Sequence, residues 1–93
     1  MTGQPYEIDL TRTARRALAE RLPLEVVIGA SEFINGPLAD NPQRVGKELD
    51  KPYHGVYSAR VMQEWRVLYV IDETQHRVTI RDISHRRDTY RAH

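Results

Sequence analysis

Five residues in the second half of the chain carry groups that phosphate chemistry can use: Arg60, Arg66, His85, Arg86 and Tyr90. Lys47 and Lys51 stand in the stretch ahead of them, and Arg87 follows Arg86 directly. A guanidinium grips two phosphate oxygens through its planar fork. An imidazole takes or gives a proton near neutral pH, and a phenol can stack on a nucleobase or donate from its hydroxyl. These are the parts that metal-free cleavage of RNA requires. A 2′-hydroxyl must lose its proton, a pentacoordinate phosphorus centre must have its charge stabilised, and the 5′-oxygen must leave with a proton. The competing reading is a solvated basic face, with Tyr90 as a docking aromatic.

Those residues need strands to hold them. Val56 to Val61 and Trp65 to Ile71 read as strands joined by the turn Met62-Gln63-Glu64, and Asp72 to His76 is a second polar turn before a third strand, Val78 to Ile83. If Val61 pairs with Trp65, Arg60 lies opposite Arg66, and both share a face with Val56, Ser58, Leu68 and Val70. Like charges set opposite each other destabilise a sheet unless an anion sits between them, and a one-residue slip would part them. The tail from Ser84 is polar and Arg-rich.

Ahead of these strands, Tyr6 to Leu10 alternates as a short strand. Thr11 and Thr13 offer N-cap oxygens to a helix over Ala14 to Leu22. Pro23 opens a second helix that Asn35-Gly36-Pro37 is expected to end. Leu38 to Tyr53 reads as loop, broken by Asn41-Pro42, Gly46 and Pro52. The expected order is β-α-α-β-β-β, an α+β domain with a helical hairpin packed on one face of a curved antiparallel sheet. Residues 1–5 are expected to be a loose terminus and residues 6–93 a single domain.

Composition narrows the classes further. The chain has 93 residues, 40% of them hydrophobic and 29% charged, which suits one globular domain rather than disorder. No apolar run reaches the ~20 residues of a membrane span, and the start lacks the pattern of a signal peptide. The absence of cysteine rules out a disulfide scaffold and a thiol nucleophile, and fits a reducing cytoplasm. Histidines at 54, 76, 85 and 93 lack ligand-like spacing, so no metal or other cofactor is expected. Net charge is only +1, yet all the basic residues except Lys47 and Lys51 are Arg. Residues 1–46 hold five basic and six acidic side chains, and residues 47–93 hold nine and seven. A GC-rich genome explains abundant arginine, but not its placement.

The runs Arg44-Val45-Gly46-Lys47, Ser58-Ala59-Arg60 and Trp65 to Asp72, with the ending His85-Arg86-Arg87-Asp88-Thr89-Tyr90-Arg91, resemble the RelE/ParE superfamily of bacterial toxins over about residues 6 to 91. The ending is similar to that of the RelE-like branch. The resemblance implies a ribosome-dependent mRNA interferase, the toxin of a type II toxin–antitoxin pair, that cuts mRNA in the A site. It assigns Arg66 and Arg86 to the scissile phosphate, His85 to proton transfer and Tyr90 to base stacking. Lys47, Arg60 and Arg87 are the expected RNA-binding residues. The implied partners are a RelB-like antitoxin wrapping the toxin, the ribosome with its mRNA, and operator DNA reached through the antitoxin. Two lysines found in some RelE-like members match Val56 and Ser58 here, so lysine-based proton transfer does not carry over. The turn Val61 to Glu64 is similar to the YoeB-like branch, whose members use a Glu and a His. Glu48 falls near that Glu, with different local spacing. A ParE-like inhibitor of DNA gyrase and an inactive, antitoxin-binding member are the alternatives.

Overall fold

A computed structural model describes residues 3–88. Its five-stranded sheet has the order β1-β5-β4-β3-β2, formed by β1 (Glu7–Leu10), β2 (Lys47–Glu48), β3 (Tyr57–Val61), β4 (Trp65–Asp72) and β5 (Arg77–His85). The expected α+β architecture holds, with two refinements to the sheet. β1 runs parallel to β5, because the helical hairpin carries the chain across one face before it returns. The stretch expected to be loop contains the one-turn helix α3 (Pro42–Val45) and the short edge strand β2, which pairs with β3. A two-residue strand is too short for alternation to show.

The helices α1 (Arg12–Arg16) and α2 (Leu24–Phe33) each continue as a π-helical turn, Ala17–Arg21 and Ile34–Leu38. The second corrects the expected stop at Asn35-Gly36-Pro37. Pro37 has no N–H to give to an α-helical bond, and the wider turn lets the chain keep coiling past it. Leu38 and Ala39 therefore enter the core rather than a loop. Ala14, Ala30, Ile34 and Leu38 pack on Ala59, Val61, Val67, Tyr69, Val78, Ile80 and Ile83, the helix-facing side of β3, β4 and β5.

The β3–β4 hairpin has the expected register: Val61 pairs with Trp65 and Arg60 with Arg66. Met62 and Gln63 take left-handed φ values of 51° and 66° to close the turn. β4 and β5 are also antiparallel, but a bulge between Leu68 and Tyr69 adds a residue to β5, so Tyr69 faces Ile80 and Leu68 faces Asp82. Ile80 and Ile83 are both buried although three residues apart, a spacing regular alternation forbids. α1 and its π-helical continuation brace the bulge from their two ends. Thr11 caps α1 by accepting from the Ala14 N–H at 3.1 Å, and its hydroxyl donates to the Arg81 carbonyl at 2.8 Å. At the other end Arg21 donates to the buried Asp82 at 3.1 Å.

Tyr69 fixes α3 to the sheet. Its buried hydroxyl donates to the Pro42 carbonyl at 2.7 Å, and its ring stacks on Tyr57 with centroids 5.5 Å apart. Burial, with Tyr57 adding a smaller electrostatic effect, pushes its phenol well above the ordinary value of 10.0. The neutral phenol is thus favoured in the folded state, and its contribution is lost as pH rises above the unfolded value. Replacing Tyr69 with Phe should cost about 1–2 kcal/mol in urea unfolding at neutral pH, and the loss of stability above pH ~10 should be shallower than in the wild type. Thr11→Val, which removes a cap and leaves the Arg81 carbonyl short of a partner, should cost about 1–2 kcal/mol in the same measurement.

Candidate phosphate-binding site

Arg60 and Arg66 sit side by side on the face of the hairpin opposite the helices, as the register requires. Lys47 joins that face, since it pairs with Ser58 and residues facing each other across a ladder share a side. Arg66 Nη1 is buried and has no hydrogen-bond partner among the described residues. A buried guanidinium nitrogen without an acceptor carries a desolvation penalty that only an anion or another acceptor relieves. Beside Arg66 the face is not bare: Leu68 is only 8% exposed, so the charged row borders a dry patch.

The bulge decides what stands next to this row. With β5 advanced by one residue, His85 faces Trp65 and Ser84 faces Arg66. Trp65 lies on the helix-facing side by strand alternation, so His85 starts from that side, at the end of the sheet, rather than from the arginine row. The Trp65 and His85 rings meet edge to face with centroids 5.2 Å apart. The Arg87 backbone N–H donates to His85 Nδ1 at 3.2 Å. In the neutral imidazole that bond leaves the proton on Nε2. β5 then passes into a 3₁₀ turn, Arg86–Asp88, with the Arg86 and Arg87 side chains exposed.

Glu64, the residue that sequence reasoning missed here, meets this segment three times. Its carbonyl accepts from the Arg86 N–H at 2.6 Å, its Oε1 forms an ion pair with Arg86 Nε at 3.0 Å, and the same oxygen stands 3.7 Å from His85 Nε2. The turn that carries Glu64 also lies against α2, where a Cβ on Gly29 would run into Met62 Sδ. Glu48 is elsewhere: it pairs with Tyr57 on the helix-facing side, bonds the Gly55 N–H at 3.0 Å and lies 3.4 Å from His54 Nδ1. Its position excludes it from the arginine row. Tyr90 lies outside the described residues. The remaining predicted residues form two groups, Lys47, Arg60 and Arg66 on the open face and His85, Arg86 and Arg87 at the end of β5. They meet where the β3–β4 turn touches the last strand.

A row of cations with one unsatisfied buried donor, beside a histidine with a defined tautomer, is equipped to bind a phosphodiester and move a proton on it. Comparison with known proteins identifies the class. No protein-family model matches the chain. It is 44% identical over 87 residues to Toxin RelE of Mycobacterium tuberculosis (strain ATCC 25618 / H37Rv), covering 94% of this chain and 88% of that protein. Toxin RelG of the same strain is 41% identical over 87 residues, covering 94% and 98%. In shape, the chain is similar to one in the toxin–antitoxin complex RelBE2 of M. tuberculosis, with a TM-score of 0.82, 40% identity and coverage of 89% and 93%. The isolated E. coli RelE toxin shares the fold at a TM-score of 0.69 and 15% identity, over 86% of this chain and 83% of that one. The chain belongs to the RelE/ParE superfamily of bacterial toxins.

Replacing Arg66 with Met removes a half-buried guanidinium whose Nη1 has no partner among the described residues, and a like-charge neighbour of Arg60. The variant should be more stable than the wild type by about 1 kcal/mol in denaturant unfolding. Sulfate should raise the melting temperature of the wild type by binding to this row, and should do so much less in the variant.

Proposed function

We propose that this protein is the toxin of a type II toxin–antitoxin pair and acts as a ribosome-dependent mRNA endonuclease in the A site. The observation that carries this reading is the buried, unpartnered Arg66 nitrogen in the arginine row, at the end of the sheet where His85 and Arg86 also gather. The 2′-hydroxyl gives its proton to solvent water as its oxygen attacks the adjacent phosphorus, and the bond to the 5′-oxygen breaks. The products are a 2′,3′-cyclic phosphate and a free 5′-hydroxyl. Arg66 and Arg86 hold the non-bridging oxygens as charge builds on them. As the imidazolium, with Nδ1 released from the Arg87 N–H, His85 gives its Nε2 proton to the departing 5′-oxygen. Lys47, Arg60 and Arg87 hold the flanking backbone, and Tyr90 stacks on a base.

The partner is a RelB-like antitoxin that wraps the toxin and links it to operator DNA. The likeness to a chain of a toxin–antitoxin complex supports that reading. The site of action is the cytoplasm, where ribosomes translate. Reverse-transcription mapping on translating ribosomes should show mRNA breaks in the A site with the wild type. His85→Ala should lower the cleavage rate by about 100-fold or more. Undiminished cleavage by that variant would overturn the role of His85. Inhibition of DNA gyrase without mRNA breaks would instead identify a ParE-like toxin.

A further inference from the structure

The acid at the centre of this basic site is unexpected on electrostatic grounds alone. Glu64 is about half exposed, so it was free to point into water. It is nevertheless turned toward Arg86 and His85. Its contact with Arg86 uses Nε, the inner nitrogen of the guanidinium. A guanidinium held at Nε keeps terminal N–H groups that a phosphate can use. The same oxygen faces the His85 nitrogen that bears the proton, at a distance too long for a hydrogen bond but close enough for attraction. The main chain adds a second anchor, because the Glu64 carbonyl accepts the Arg86 N–H. Glu64 thus ties the segment after β5 to the hairpin that carries Arg60 and Arg66.

We propose that Glu64 is the positioning residue of this site, holding Arg86 and His85 together against the hairpin that carries the arginine row, and that it does so at the expense of affinity for RNA. The proposal rests on the nuclease reading for its consequence but on the free protein for its geometry. A carboxylate among cations repels the phosphates of any bound strand, so its removal strengthens binding while loosening the groups that do the chemistry. A merely structural residue would not produce opposite changes in binding and turnover.

The test uses the full chain and its Glu64→Gln and Glu64→Ala variants, with a short single-stranded RNA carrying 2′-O-methyl groups as an uncleavable probe. In fluorescence anisotropy at low salt, both variants should bind the probe more tightly, by about 3-fold. On translating ribosomes, single-turnover cleavage should fall by about 5-fold in Glu64→Gln, which keeps an acceptor for Arg86 Nε, and by about 30-fold in Glu64→Ala. In the ¹H–¹⁵N spectrum of the free protein, the slowly exchanging Arg86 Nε–H should persist in the Gln variant and vanish in the Ala variant. Unchanged or weaker probe binding in Glu64→Gln, or an Arg86 signal indifferent to Glu64→Ala, would overturn the proposal. If no form of the protein cuts mRNA, the nuclease reading fails, while the probe and the Arg86 signal still decide the placement of Glu64.

Discussion

A single extra residue in β5 sets the arrangement of the molecule. Side chains alternate along a strand, so one inserted residue exchanges the faces of everything beyond it. Without the bulge opposite Leu68, continuing the pairing of Tyr69 with Ile80 would bring Ser84 to Trp65 and Ile83 to Arg66, placing an apolar side chain among the cations. With it, Ile83 stays in the core, His85 meets Trp65 and the Arg86 N–H reaches Glu64. Core and site therefore impose the same requirement on β5. α1 enforces it through Thr11 on the Arg81 carbonyl and Arg21 on Asp82. The helix covers the sheet and fixes the parity of its central seam as well.

What was legible in the sequence follows from the range of each interaction. The turn at Met62-Gln63-Glu64 and the Arg60–Arg66 pairing are local consequences of two alternating runs on either side of three polar residues, and the structure has both. The bulge was not legible, because Arg81-Asp82 looks like any polar pair in an exposed strand until Thr11 and Arg21 arrive from the distant helix. Glu64 was missed for the same reason, since its partners are set by where β5 ends. Its position in the turn said hairpin; the acid–base search went instead to Glu48, which the pairing with Tyr57 turns to the other side. A signal did exist in the same turn: a carboxylate two residues before Arg66, among cations. Pro37 misled in the opposite direction. A proline normally stops a helix, and a wider turn carried this one past it.

The net charge of +1 conceals a strained distribution. Arg60 and Arg66 face each other, and one nitrogen of Arg66 is buried without an acceptor among the described residues. A sequence selected for stability alone would place a neutral side chain there. Opposing this, the Tyr69–Pro42 bond, the braced bulge and the packing of α1 and α2 hold the frame on which the unfavourable pair sits. The destabilised groups are confined to one end of the sheet, where Glu64 offsets part of the charge.

Among the described residues β5 is the last strand, yet it lies between β1 and β4, and its end carries His85 and leads into Arg86. During synthesis, β1 and both helices emerge long before the strand that completes their core, and the contacts between β1 and β5 span about 70 residues. A nascent chain that lacks β5 has neither a closed core nor a complete site. The core and the candidate site are therefore completed in one step, when β5 emerges. A product cut short by a stalled ribosome or a frameshift would be an unfolded substrate for proteolysis rather than a partly active toxin.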